Sequence, residues 1–257
     1  MGIFCAMNAR GVSRLVGAAV TAAWGLGFTA LPTGVLPSAS AASCPDTQVV
    51  FARGTGEEPG VGPTGQAFVD ALRDRLGGKS LDVYPVNYPA SDQWSTGLDG
   101  IRDAGAHVVS EAGICPKTRM VLGGFSQGAA VAGFVTSPAV PDSVPQDVDP
   151  ATIPKPLDPA VADHVAAVVL FGTPNVRAMN FLGQPQLVIG PLYQAKTIEV
   201  CATEDPVCSD GMNFSAHNSY VEDGSFIAQG ADFAAGHLQG PGGPAASPAP
   251  QRGGFGN

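Results

Sequence analysis

Five short apolar runs rich in β-branched residues, TQVVFAR (47–53), LDVYPVNY (81–88), RMVLGGF (119–125), VAAVVLFG (165–172) and KTIEVCA (196–202), alternate with stretches of helical character. The helical stretches cover 64–76, 96–113, 127–136 and 218–235, and the second sets Leu98, Ile101, Ala104, Val108 and Val109 at a 3.6-residue rhythm. Several of the runs are apolar at consecutive rather than alternate positions, the pattern of parallel strands buried on both faces. Alternating strands and helices with buried strands predict a three-layer α/β domain with a mostly parallel sheet. A chain of 257 residues suffices for one such domain with extensions.

The extensions lie at the ends. Arg10 and Arg14 precede the apolar stretch LVGAAVTAAWGLGFTALPTGVL, and the small residues SASAAS follow at 38–43, the layout of an export signal cleaved near Ala41 or Ala42. A membrane anchor fits less well, because Pro32, Gly34 and Pro37 interrupt the stretch and no basic cluster follows it. Residues 1–42 are therefore read as a signal peptide, 43–239 as the folded domain, and the Gly/Pro-rich 240–257 as a disordered tail. Without the signal, 11 basic residues face 22 acidic ones, a formal charge of −11. That balance disfavours nucleic acid and anionic membranes as partners. The expected protein is secreted, with cell-wall attachment left open, monomeric, and not stably inserted in a membrane.

Beyond the signal stand Cys44, Cys115, Cys201 and Cys208, and four cysteines in an oxidising compartment suggest two disulfides. Three pairings are possible; the six residues between Cys201 and Cys208 favour a local bridge, which leaves Cys44 to Cys115. No Cys-x-x-Cys spacing or histidine cluster favours a metal, and none is expected. Between the third helical stretch and the fourth strand, SPAVPDSVPQDVDPATIPKPLDP (137–159) carries seven prolines, marking a surface excursion that is either a flap or an insertion.

The junction LGGFSQGAA places Ser126 between Gly124 and Gly128 where the third strand meets a helix. Glycines there can simply let a helix begin close to a strand. They also form Gly-x-Ser-x-Gly, the nucleophile elbow, in which a strained turn exposes the serine hydroxyl. Such a hydroxyl needs a base and a group to orient that base, in the chain order serine, acid, histidine. Of the histidines that follow, His164 leads into a strand and His237 borders the tail, whereas His217 lies in a loop after the last strand. Asp205, in CATEDPVC, is the candidate acid, with Glu204 as its rival. The oxyanion donors would be the Gln127 amide and, at the end of the first strand, the amide and hydroxyl of Thr55. The GTGEEPG stretch lacks dinucleotide-loop spacing. Leu187, Val188, Ile189 and Phe214 are candidates to line an acyl groove.

With FARGTGE, GGFSQGAA, CATEDPVC and AHNSY in this order, the chain resembles the cutinase family, in particular the secreted cutinase-like esterases of mycobacteria and their relatives, over about 44–238. The resemblance implies an α/β-hydrolase with a central five-stranded parallel sheet, disulfides Cys44–Cys115 and Cys201–Cys208, and little or no lid. It also implies catalysis by Ser126, Asp205 and His217, oxyanion donors at Thr55 and Gln127, no cofactor, and an ester or lipid substrate. Phe125 replaces the usual elbow tyrosine, Thr55 stands where fungal members often have serine, and 137–159 is the larger departure. The expected activity is hydrolysis of short to medium acyl esters through an acyl-enzyme. Alternatives on the same triad are a phospholipase, a thioesterase or an acyltransferase. From another class comes a non-catalytic envelope or host-interaction protein on the same scaffold.

Overall fold

The computed structural model describes residues 43–239 except 143 and 145–147; the expected signal peptide and Gly/Pro-rich tail lie outside the described residues. Five strands, β1 (Thr47–Ala52), β2 (Leu81–Pro85), β3 (Arg119–Phe125), β4 (Val165–Phe171) and β5 (Thr197–Val200), form one sheet in the order β2-β1-β3-β4-β5. Every neighbouring pair is parallel. Helices α1 (Gly62–Arg75), α2 (Gly97–Ile114), α3 (Gln127–Val135) and α6 (Gly224–Gln239) supply the outer layers. Two short helices absent from the sequence expectation, α4 (Val176–Phe181) and α5 (Pro191–Gln194), both sit in the connection from β4 to β5. Among the described residues no helix is long and apolar enough to cross a membrane.

The continuous apolar runs are explained by the two cores. Side chains alternate along a strand: Val49, Phe51, Val121, Val169 and Phe171 meet Phe68 and Leu72 of α1 and Ile227 and Ala231 of α6. Val50, Leu122, Val168 and Leu170 face the other way, towards Ala104 and Val108 of α2 and Val131 and Val135 of α3. A strand buried on both sides leaves a polar residue only where it finds a partner, as Gln48 of β1 does with His107 at 2.7 Å. β2 stops at Pro85, three residues short of the expected end. Proline can still pair with Phe51, and the Val86 amide adds one more bond to the Phe51 carbonyl at 3.0 Å before the chain turns away.

The last helix begins at Gly224 rather than at 218, because the Asp223 carboxylate accepts the Ser225 amide at 3.0 Å and starts the helix there. A single 3-10 turn, Ala216–Asn218, precedes it. The sheet order creates a switch point between β1 and β3, since the chain leaves β1 towards one edge and β3 towards the other. Ligand sites of open α/β sheets form at the carboxyl ends of such strands. The Thr55 loop and Ser126 follow β1 and β3.

Candidate functional site

The turn from β3 into α3 is possible only with glycines at 124 and 128. A Cβ on Gly128 would stand 2.0 Å from the Ala52 carbonyl oxygen of β1, and one on Gly124 would stand 2.1 Å from the Gly128 carbonyl oxygen. These are collisions with backbone that no rotamer relieves. So close an approach forces Ser126 to φ 55° and ψ −118°, a conformation costly for a residue with a side chain. The Ser126 amide is held by the Phe171 carbonyl at 2.9 Å, which fixes the elbow against β4.

At the elbow the structure brings together the three groups the sequence singled out. His217 Nε2 lies 2.8 Å from Ser126 Oγ, and His217 Nδ1 lies 2.8 Å from Asp205 Oδ2. An ionised carboxylate only accepts, so Nδ1 carries the proton towards Asp205 and Nε2 is left as acceptor for the serine hydroxyl. Phe125 stacks on the imidazole with centroids 5.1 Å apart, holding its plane from one side. Of the other histidines, His237 donates to the Phe233 carbonyl at 2.9 Å within α6 and His164 ends a 3-10 turn before β4; neither joins the cluster.

Asp205 is 0 % exposed, whereas its rival Glu204 is exposed. Burial raises the Asp205 carboxyl, but hydrogen bonds from His217, from the Tyr220 hydroxyl and from the Val207 amide outweigh it and hold the group below the usual carboxylate value. Tyr220 donates to Asp205 Oδ2 at 2.7 Å, the same oxygen that receives His217 Nδ1. Its hydroxyl accepts the Ala202 amide at 3.1 Å, and burial above all pushes its ionisation well above the ordinary phenol range, so it keeps its proton. The sequence reading missed Tyr220. The available signal was its position three residues after His217 in the same short loop before α6.

The disulfides are Cys44–Cys115 and Cys201–Cys208. The second closes the loop carrying Asp205, and Cys208 Sγ lies 3.2 Å from Asp205 Oδ2. Cys201, Asp205 and Cys208 are close enough together for a metal, but both sulfurs are committed to the disulfide and offer no thiolate.

The Thr55 loop is braced from below. Arg53, 5 % exposed, donates to the carbonyls of Glu57 at 2.8 Å and Tyr88 at 2.7 Å, while the Tyr88 hydroxyl donates back to the Arg53 carbonyl. Glu57, raised by burial and lowered by the Gly54 amide and Arg53, accepts that amide at 2.7 Å. Thr55 itself is exposed at the crest. Among the described residues neither the Thr55 nor the Gln127 amide meets a protein acceptor, as donors awaiting a developing charge would stand. The Gln127 side chain is buried, with Nε2 donating to the Ser91 carbonyl at 2.9 Å. Of the groove candidates, Ile189 packs against the α2/α3 core and Leu187 lies over Gly133 of α3, while Val188 and Phe214 are exposed.

A serine on a strained elbow, hydrogen-bonded to a histidine that is bonded to a buried carboxylate, is the arrangement of a nucleophile with its base. Comparison with known proteins agrees. Residues 43–238 match the Cutinase family model. The chain is 56% identical over 171 residues to probable carboxylesterase Culp5 of Mycobacterium tuberculosis, covering 66% of this chain and 95% of the relative. To carboxylesterase Culp1 of Mycobacterium bovis it is 44% identical over 235 residues, covering 90% and 98%. Among solved structures, the Trichoderma reesei cutinase in complex with a phosphonate inhibitor superposes with a TM-score of 0.55 at 30% identity, over 76% of this chain and 77% of that one. The five-stranded parallel α/β architecture, the elbow and these matches lead to one conclusion: the chain belongs to the cutinase family.

Proposed function

We propose that the protein is an exported serine esterase, acting as a monomer, that hydrolyses carboxylic esters through an acyl-enzyme. The observation that carries the reading is the unbroken chain from Ser126 Oγ through His217 to Asp205, with both bonds at 2.8 Å. Ser126 Oγ attacks the ester carbonyl while His217 Nε2 takes its proton. Asp205 holds the resulting imidazolium, and the carbonyl oxygen, now negative, is received by the amides of Gln127 and Thr55. Collapse expels the alcohol with the proton from His217 and leaves an acyl group on Ser126. Water then attacks the acyl-enzyme as His217 takes its proton, and collapse releases the carboxylic acid and returns that proton to Ser126. The chemistry runs on side chains and backbone amides alone.

Export is supported by the two disulfides, which persist in oxidising compartments. The test is turnover of a soluble ester series together with fluorophosphonate labelling, in the natural chain and in Ser126→Ala. The natural chain should label and turn over, and the variant should do neither while its melting temperature stays within a few degrees. Labelling that survives in Ser126→Ala places the nucleophile elsewhere. A natural chain that neither labels nor turns over any ester supports a non-catalytic role on this scaffold instead.

A further inference from the structure

Besides the stripe of α2 that packs on the sheet, the helix carries a second one. Leu98, Ile101, Gly105 and Val109 recur at intervals of three and four and line a cavity of 580 Å³. Its second wall is Ala130, Val131 and Phe134 of α3; its third is Ile153, Pro154 and Leu157 of the proline-rich segment. That segment is tied across the helix by Arg102, which donates to the Thr152 carbonyl at 2.7 Å, and Leu157 leans on the α2/α3 core. The volume is within the range of cavities that enclose a small organic ligand, roughly 300–1,000 Å³.

One end of the cavity is next to the chemistry. Gln127, which follows Ser126 directly, lines it together with Trp94. The Gln127 side chain is 1 % exposed, with Oε1 buried and without a partner among the described residues. From that end the α2 stripe runs from Leu98 to Val109, a rise of about 16 Å at 1.5 Å per residue. Ser126 itself lies outside the lining, which is mainly apolar, with Arg102, Ser110, Lys155 and Asp158 among the polar exceptions and Gln127 as the residue nearest the nucleophile. That distribution suits an acyl chain whose ester carbonyl lies at the serine. An extended chain advances about 1.25 Å per carbon, from a C–C bond near 1.52 Å and a near-tetrahedral angle, so the stripe matches roughly thirteen carbons.

We propose that the cavity between α2, α3 and the proline-rich segment is an acyl-chain site that seats the tail of a long-chain ester while its carbonyl stands at Ser126. This rests on the esterase reading for the position of the carbonyl, but not for the binding of the chain. Ile153, Pro154 and Leu157, within the segment that departs most from the family pattern, then serve as the outer wall of a specificity pocket. The wall sets chain length by where along α2 the space is closed.

Two substitutions act as a ruler. A Cβ at Gly105 would stand 3.6 Å from Leu157 Cδ2, an ordinary contact, so Gly105→Phe fills the middle of the cavity without striking backbone. Val109→Trp closes only the far end, where Val109 is 48 % exposed and a larger side chain carries little folding risk. The readout is the ratio of kcat/KM for dodecanoyl and tetradecanoyl esters to that for butanoyl ester. Gly105→Phe should lower the ratio at least tenfold for both long chains, and Val109→Trp should lower it mainly for tetradecanoyl. A second arm uses the Ser126→Ala protein, in which dodecanoic acid displaces a fluorescent long-chain fatty acid and Gly105→Phe weakens that binding at least tenfold. If no ester is turned over but this displacement persists and responds to Gly105→Phe, the esterase reading fails and the acyl site stands. If the ratio and the displacement are unchanged in folded Gly105→Phe and Val109→Trp, the acyl site is refuted; should Gly105→Phe not fold, Val109→Trp alone decides.

Discussion

Replacing Tyr220 with phenylalanine removes one oxygen and should affect both the stability of the fold and the pH dependence of catalysis. The hydroxyl donates to Asp205 Oδ2 at 2.7 Å and accepts the Ala202 amide at 3.1 Å, in a residue that is 0 % exposed. Loss of a hydrogen bond to a charged group costs about 1.5–3 kcal/mol, and an orphaned buried amide about 1–3 kcal/mol more. The ring contacts with Phe125, Phe171 and Phe226 remain, so no cavity opens to add to this. A loss of about 3 kcal/mol in a domain of this size lowers Tm by about 6–12 °C. Because His217 Nδ1 and Tyr220 share Asp205 Oδ2, removing the phenol leaves more of the carboxylate charge for the imidazolium. The acid limb of kcat/KM should therefore move to higher pH. Loosening of the carboxylate should lower kcat by up to about a hundredfold, the scale of a misplacement near 1 Å. The assays are a pH-rate profile with a soluble ester and a thermal melt. A folded Tyr220→Phe protein with lower Tm but the natural kcat and an unmoved acid limb would make Tyr220 structural and refute its role in positioning Asp205.

Asp205→Asn should reduce turnover by about four orders of magnitude in a folded protein, by analogy with orienting aspartates in serine triads, whereas Glu204→Gln, at an exposed position, should change it little. The Asp205 carboxyl is held low in the fold, so its contribution to stability is present above the unfolded value of 3.8 and is lost as pH falls through the lower folded value. The fall in Tm below about pH 4 should accordingly be shallower in Asp205→Asn. Loop-closure entropy assigns about 4.4 kcal/mol to Cys44–Cys115 and about 2.4 kcal/mol to Cys201–Cys208, from sequence separations of 71 and 7. Cys44→Ser with Cys115→Ser should thus cost more Tm, and Cys201→Ser with Cys208→Ser more activity; the reverse ordering would make the small bridge a staple rather than a support for Asp205. Gly128→Ala should destabilise by more than about 3 kcal/mol or fail to fold, since its methyl would meet the Ala52 and Arg53 carbonyls at 2.0 and 2.4 Å; a normal melt would show that the elbow can relax.

What could be read from the sequence follows from how narrowly each position is constrained. The elbow is nearly forced. The two explanations of Gly124 and Gly128, close helix–strand packing and an exposed serine, describe one geometry, because the approach of α3 to the Ala52 carbonyl is what drives Ser126 to positive φ. Asp205 and His217 were legible because loops after the last strand offer few acids and histidines in the right order. Tyr220 was not, since a tyrosine beside the final helix reads as ordinary core until its hydroxyl is placed on Asp205. The α2 rhythm shows the same limit more sharply. It predicted a helix with an apolar face and was right, but the residues it buries fully include Gly100, Ala104 and Val108, with Gly100 so close to Tyr88 and Val131 of α3 that a Cβ would sit 3.0 Å from each. Leu98, Ile101 and Val109 line the cavity beside Ile153, Pro154 and Leu157, Ile101 also packing against the α2/α3 core. Periodicity marks an apolar helix face and not how far each residue leaves water or what it meets, since Val109 of the pattern is 48 % exposed. A fully buried stripe beside a half-buried one on the same helix therefore marks two different neighbours, a core approached closely and a space left to be filled.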